Sequence, residues 1–180
     1  MQMPDKSDLT FLFEGDRQQL KEFVEKYEET LQKVGVIGDI EEMANDYTVE
    51  EQIPIVFSFV FGVTVDWREY DDEIVRLFDE NMPGETVEVE TTDDGLLVSY
   101  NGTPHPVRLS FSPKDRYITI RAFNAIIKPK YEIRLFEGSY MSDTHDFLVL
   151  PKATWEELEA KYPAQVAETF RVIDEALDFP

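Results

Sequence analysis

The chain contains no cysteine. Disulfides, cysteine-ligated zinc and thiol catalysis are thereby excluded, and the composition agrees with a reducing compartment. Histidine is nearly absent as well, with two residues, His105 and His145, which leaves little imidazole for acid–base or metal chemistry. Basic residues are heavily outnumbered: 17 Lys and Arg face 38 Asp and Glu, a net charge of −21. So negative a chain is a poor partner for nucleic acid or an anionic membrane and a natural one for a basic protein. Long hydrophobic runs are missing too. The longest, Ile53–Val65, is thirteen residues with Ser58, Gly62 and Thr64 inside it, too short for a bilayer-spanning helix. The first ten residues are polar, with Asp5, Lys6 and Asp8, and lack the apolar core of a secretion signal. A cytoplasmic protein is the expectation. No phosphate-binding loop, dinucleotide fingerprint, H-E-x-x-H or EF-hand spacing occurs, so no cofactor is expected.

What is present is a well-patterned globular chain. With 180 residues, 42% of them hydrophobic, it suits one domain, or one domain with a helical extension. Leu9–Phe13 is short and apolar and reads as an edge strand. Asp16 with Gln19 caps a helix in which Leu20, Phe23, Val24, Tyr27, Leu31 and Val34 recur at helical spacing until Gly35. Residues 39–47 read as a short helix. For 55–65 the signals conflict. Alternation of Phe57, Phe59, Phe61, Val63 and Val65 favours a strand, while Thr48 and Glu51 form a capping box that favours a helix. The alternation carries slightly more weight. Asp66 is placed to cap a helix over 67–81, with Trp67 and Trp155 both read as structural.

The middle of the chain predicts a β-meander over 86–111, turning at Asp93-Asp94-Gly95 and at Asn101-Gly102. Asn101-Gly102-Thr103 is formally a glycosylation sequon and is read as a turn. Ser112-Pro113 looks like a helix start, the helix running to about Ile127, with a strand over 117–121 as its competitor. Strands are expected at 131–136 and 146–150, then a helix capped by Thr154 and Glu157, and a last helix carrying Val166, Phe170, Ile173 and Leu177. The fold class is α+β: a mostly antiparallel sheet, from the meander near 86–111 and strands near 131–150, with N- and C-terminal helices packed on it.

Chemistry is thin. The loop Ser139–Asp146 is richest in functional groups. Asp143, His145 and Asp146 are a candidate metal or ligand set, and Ser139 or Ser142 a candidate nucleophile, although no nucleophile elbow is present. The simpler reading is a loop whose short polar side chains bond its own backbone. Charge is more distinctive. Residues 108–134 hold seven basic residues against two acids, a net of five positive charges that either pair within the fold or form an anion site. Acids cluster instead at Asp66, Glu69, Asp71 and Asp72 and on the next hairpin at Glu88, Glu90, Asp93 and Asp94. Solvated surface is the plain reading of these eight. A face for a basic protein is the sharper one, because opposite charge speeds and selects association.

The sequence as a whole therefore points to a non-catalytic acidic cytoplasmic binding protein, of the kind that inhibits a basic partner as an immunity protein or antitoxin does. A small enzyme or a metal- or ligand-binding domain with its site around Ser139–Asp146 is the alternative. A carboxylate mimic of DNA ranks third, because aromatics and the basic stretch interrupt the acids.

Overall fold

A computed structural model describes residues 3–180. The contacts divide into two compact units, one of residues 4–62 and one of residue 3 with residues 63–180. No helix among the described residues is long and apolar enough to cross a membrane.

The first unit is all helix: α1 (Lys6–Glu14), α2 (Arg17–Lys26), α3 (Glu28–Val34), α4 (Ile37–Asp46) and α5 (Val49–Phe61). Leu9–Phe13, expected as an edge strand, lies in α1. Asp5 and Asp8 form a reciprocal cap that fixes this helix before its apolar residues can pair as a strand. The single helix expected from Asp16 breaks at Tyr27. There, two successive side chains reach one buried carboxylate: Lys26 Nζ donates to Asp8 at 2.7 Å and the Tyr27 hydroxyl at 2.8 Å. The strand expected over 55–65 is helix up to Phe61. The Thr48–Glu51 box closes in both directions, and burial recurs at Ile53, Val56, Phe57, Val60 and Phe61, which is helical spacing. The alternation of phenylalanines misled because Phe59 is only half-buried. The unit's core is a run of rings, with Phe11 stacked on Phe23 at 4.4 Å and Phe57 beside Phe61 at 4.9 Å.

The second unit is α+β, with two antiparallel sheets where one was expected. The larger has the order β1 (Val63–Asp66), β6 (Thr144–Pro151), β5 (Tyr131–Phe136), β7 (Phe170–Val172). It is buried on both faces, which is why Phe147–Leu150 is continuously apolar. Ile133, Leu135, Phe147 and Val149 face α6 (Asp71–Asp79) and α7 (Ile118–Ile127) in the main core. The opposite face, with Arg134 and Leu148 in register, meets α8 (Lys152–Lys161) and α9 (Pro163–Thr169). There Trp155 is buried and donates its indole N–H to the Glu132 carbonyl at 2.9 Å, as a structural tryptophan should. The Arg134 guanidinium lies 4.3 Å from that ring.

The smaller sheet is the expected meander of β2 (Val87–Thr92), β3 (Gly95–Tyr100) and β4 (Thr103–Arg108). Asn101 and Gly102 both take positive φ, as a two-residue hairpin turn of this kind requires. Pro104 and Pro106 oppose Ser99 and Leu97. Lacking N–H groups, they blunt the β4 edge against further pairing.

Three more boundaries differ from expectation. Helix α7 starts at Ile118, not Ser112, because the amides of Arg116 and Tyr117 bond to the Asp178 carboxylate. Helix α8 starts at Lys152 without the Thr154–Glu157 cap. The last helix ends at Thr169, because Phe170–Val172 adds to the free edge of β5 and buries Phe170 beside Phe136 and Trp155.

The meander register turns on Gly95. Its φ is +153°, and a Cβ there would sit 2.1 Å from the Val107 carbonyl oxygen. Gly95→Ala should destabilise the protein by more than about 2 kcal/mol. Gly138→Ala, where a Cβ meets nothing within 4 Å, should cost less than about 1 kcal/mol. Equal urea midpoints for the two variants would contradict this register.

Candidate functional site

Strand β1 ends at Asp66, and the chain then makes a side-chain-held turn rather than entering a helix. The Asp66 carboxylate accepts from the Arg68 amide at 2.8 Å and from its guanidinium at 3.0 and 3.1 Å, which holds that carboxyl below its ordinary range. Trp67 donates its amide to the Asp143 carbonyl at 3.1 Å. Trp67 stays 38% exposed, which departs from its reading as a structural tryptophan. Helix α6 begins only at Asp71, whose carboxylate accepts from the Thr119 hydroxyl.

Across from this turn, the chain leaving β4 runs through Leu109 to Phe111. Phe111 is 73% exposed and sits at φ +53°, a left-handed conformation that costs a bulky residue energy. Between the two segments lies a cleft of about 290 Å³. Asp66, Glu69, Asp71 and Asp115 supply its carboxylates, Arg116 its one cation, and Trp67, Phe111 and Phe179 its aromatics. Tyr70, 78% exposed, lies between two of the lining residues.

The floor of the cleft is braced from the C-terminus. Asp178 accepts from the amides of Arg116 and Tyr117 at 3.0 and 3.1 Å, and Arg121 donates to the Leu177 carbonyl at 2.8 Å. Phe179 stacks on the His145 ring at 4.1 Å. His145 is fully buried, and both of its nitrogens are used. The Tyr140 carbonyl, 2.9 Å from Nε2, can only accept, so Nε2 carries the proton and Nδ1 accepts from the Tyr117 hydroxyl. Burial raises the Tyr117 hydroxyl above the ordinary tyrosine range, keeping it a donor, and pulls the His145 imidazole below the ordinary histidine value.

The acids singled out in the sequence fall into two places. Asp66, Glu69 and Asp71 come together in the cleft. Asp72 pairs with Arg76 on the first turn of α6. Glu88 and Glu90 point outward from the edge strand β2, and Asp93 and Asp94 are exposed at its turn, outside the cleft lining. The second set does not converge. His145 and Asp146 are strand neighbours and point to opposite faces; Asp146 accepts from the Thr64 hydroxyl at 2.6 Å, and Asp143 is exposed. Among the described residues, no group of three or more His, Asp or Glu could hold a metal ion. The Ser139 hydroxyl bonds the Phe136 carbonyl and the Asp146 amide, each at 2.9 Å, so this loop does bond its own backbone.

Three of the seven basic residues in 108–134 are ion-paired: Arg121 with Asp115, Lys130 with Glu85, and Arg134 with Glu132 and Glu159. A wider groove of about 750 Å³ beside α9 and β7 is lined by Arg134, Glu159, Glu137 and Arg171, whose charges also pair with each other. Phe111, Arg116, Asp178 and Phe179 were not legible as site residues, since nothing local in the sequence marks them. A comparison of the chain with protein-family models finds no match, and neither do comparisons with curated proteins and with solved structures.

His145 gives this region a pH signature. The unfolded chain, with an ordinary histidine near 6.5, binds a proton before the folded state does. Stability is therefore fully present above that value and falls as pH drops below it toward the depressed folded value. His145→Gln should cost about 1–3 kcal/mol at pH 7. Its urea midpoint should then change less than the wild-type midpoint between pH 7 and 5.5. Parallel profiles for the two proteins would contradict the buried neutral imidazole.

Proposed function

We propose that this chain is a non-catalytic, acidic binding protein that recognises and inhibits a basic protein, in the manner of an immunity protein or antitoxin. The observation that carries the reading is the cleft rim, where Trp67, Tyr70 and Phe111 stand exposed among Asp66, Glu69 and Asp71. Exposed aromatics anchor interfaces, and a carboxylate rim selects a partner of opposite sign. The net charge of −21 would add long-range steering, with Asp72, Glu88, Glu90, Asp93 and Asp94 contributing field rather than close contact. A cysteine-free chain is at home in the reducing cytoplasm, which is where the proposal sets its action.

Capture from a lysate of the native host tests this. The expected result is one stoichiometric basic protein held at low salt and partly released at about 0.3 M salt, where charge attraction is screened beyond a few ångströms. Recovery of no stoichiometric partner at either salt would overturn the proposal.

A further inference from the structure

We infer that the cleft receives an arginine side chain of the partner, its guanidinium laid on Trp67 and its N–H groups directed to Asp66 and Glu69. The inference rests on the binding-protein reading and names what that partner presents. Trp67 already sits within cation–π range of two guanidinium groups, those of Arg116 at 5.1 Å and Arg68 at 5.6 Å. The chain's own arginines thus occupy the geometry that an incoming one would need. Arg68 is the replaceable one. Its side chain is 69% exposed, and an exposed pair of this kind contributes little. Arg116 is held in place through its own backbone, whose amide is bonded to Asp178.

Charge in the cleft favours a cation. Of the four carboxylates that line it, Asp66 is paired with Arg68 and Asp115 with Arg121, which leaves Glu69 and Asp71 beside the Arg116 guanidinium. Glu69 has no cationic partner among the described residues; its carboxylate accepts only the Tyr70 amide, at 3.2 Å. Size points the same way. At about 290 Å³ the space is just below the roughly 300–1,000 Å³ of sites that take drug-sized ligands, and it suits one long side chain. Phe111, exposed in the cleft lining, would cover the stem of that side chain and exclude water from the ion pair. Arginine is preferred to lysine because its planar fork both stacks on an indole and bonds two carboxylates, which an ammonium cannot do.

The probe is acetyl-Gly-Arg-Gly-amide, with the lysine tripeptide as comparison, titrated into the full chain and followed by amide and indole NMR shifts. Saturable shifts are expected at the Trp67 indole and over residues 66–71 and 111–116, with the lysine peptide at least five-fold weaker. Trp67→Ala and Glu69→Gln should each weaken the arginine peptide at least five-fold. Glu156→Gln, exposed on α8 and outside the cleft, should leave it unchanged. Glu69→Gln removes no buried packing, so it keeps the test decisive if Trp67→Ala folds poorly. Absence of saturation, or equal shifts with both peptides spread over the 88–94 hairpin, would overturn the inference. A captured basic partner whose affinity is the same for wild type and Trp67→Ala would remove the cleft from recognition while leaving the binding-protein reading intact.

Discussion

The His145 imidazole is the fixed point on which the second unit's functional face depends. It belongs to β6, opposite Val65 of β1, and is wholly buried. One nitrogen is held by the Tyr117 hydroxyl beside α7 and the other by the Tyr140 carbonyl of the preceding loop, and Phe179 of the terminal segment covers its face. Three parts of the chain that are distant in sequence, at Tyr117, at Tyr140–His145 and at Phe179, therefore meet on one ring. Each bond is modest by itself, but leaving either nitrogen unpaired in the interior would cost about 1–3 kcal/mol. His145, named in the sequence as a candidate ligand, has both nitrogens bonded within the fold and its ring stacked on Phe179.

From that point the cleft is built by satisfying backbone groups. The amides of Arg116 and Tyr117 precede α7 and have no helical acceptor; Asp178 supplies one from the far end of the chain. Asp66 does the same for the Arg68 amide on the opposite wall. Both walls are thereby fixed, which leaves Trp67 part-exposed and Phe111 held out in a left-handed conformation. On the binding reading proposed above, a surface ordered in advance would lose less entropy on binding. The acidity divides accordingly: the acids at 66–71 are shaped into a cleft, whereas those on the β2 hairpin form an open, solvated edge whose charges also discourage strand pairing.

Legibility followed the range of the signals. The meander was readable because Asn101-Gly102 and Gly95 encode their turns locally, and β6 because a strand covered on both faces shows a continuous apolar run, Phe147–Leu150. Caps decided the helices. The Thr48–Glu51 box outweighs an apparent period of two, and the Asp5–Asp8 box makes α1 of a segment whose apolar run resembles a strand. Elements set by distant partners were misplaced. Nothing near Ser112 indicates that Asp178 will take the amides of Arg116 and Tyr117, and nothing near Phe170 shows that β5 has a free edge. The site was half visible. Asp66, Glu69 and Asp71 stand together in sequence, but the aromatic wall at Phe111 and the floor at Phe179 reach them only through the fold.

The C-terminal segment braces the cleft through Asp178 and the His145 ring. Amide hydrogen exchange of Arg116 and Tyr117 reports on this directly. Slow exchange is expected at both amides in the wild-type chain and fast exchange at both in Asp178→Ala, with β5 and β6 amides still protected. Exchange at the two wild-type amides as fast as in an unstructured peptide would contradict it.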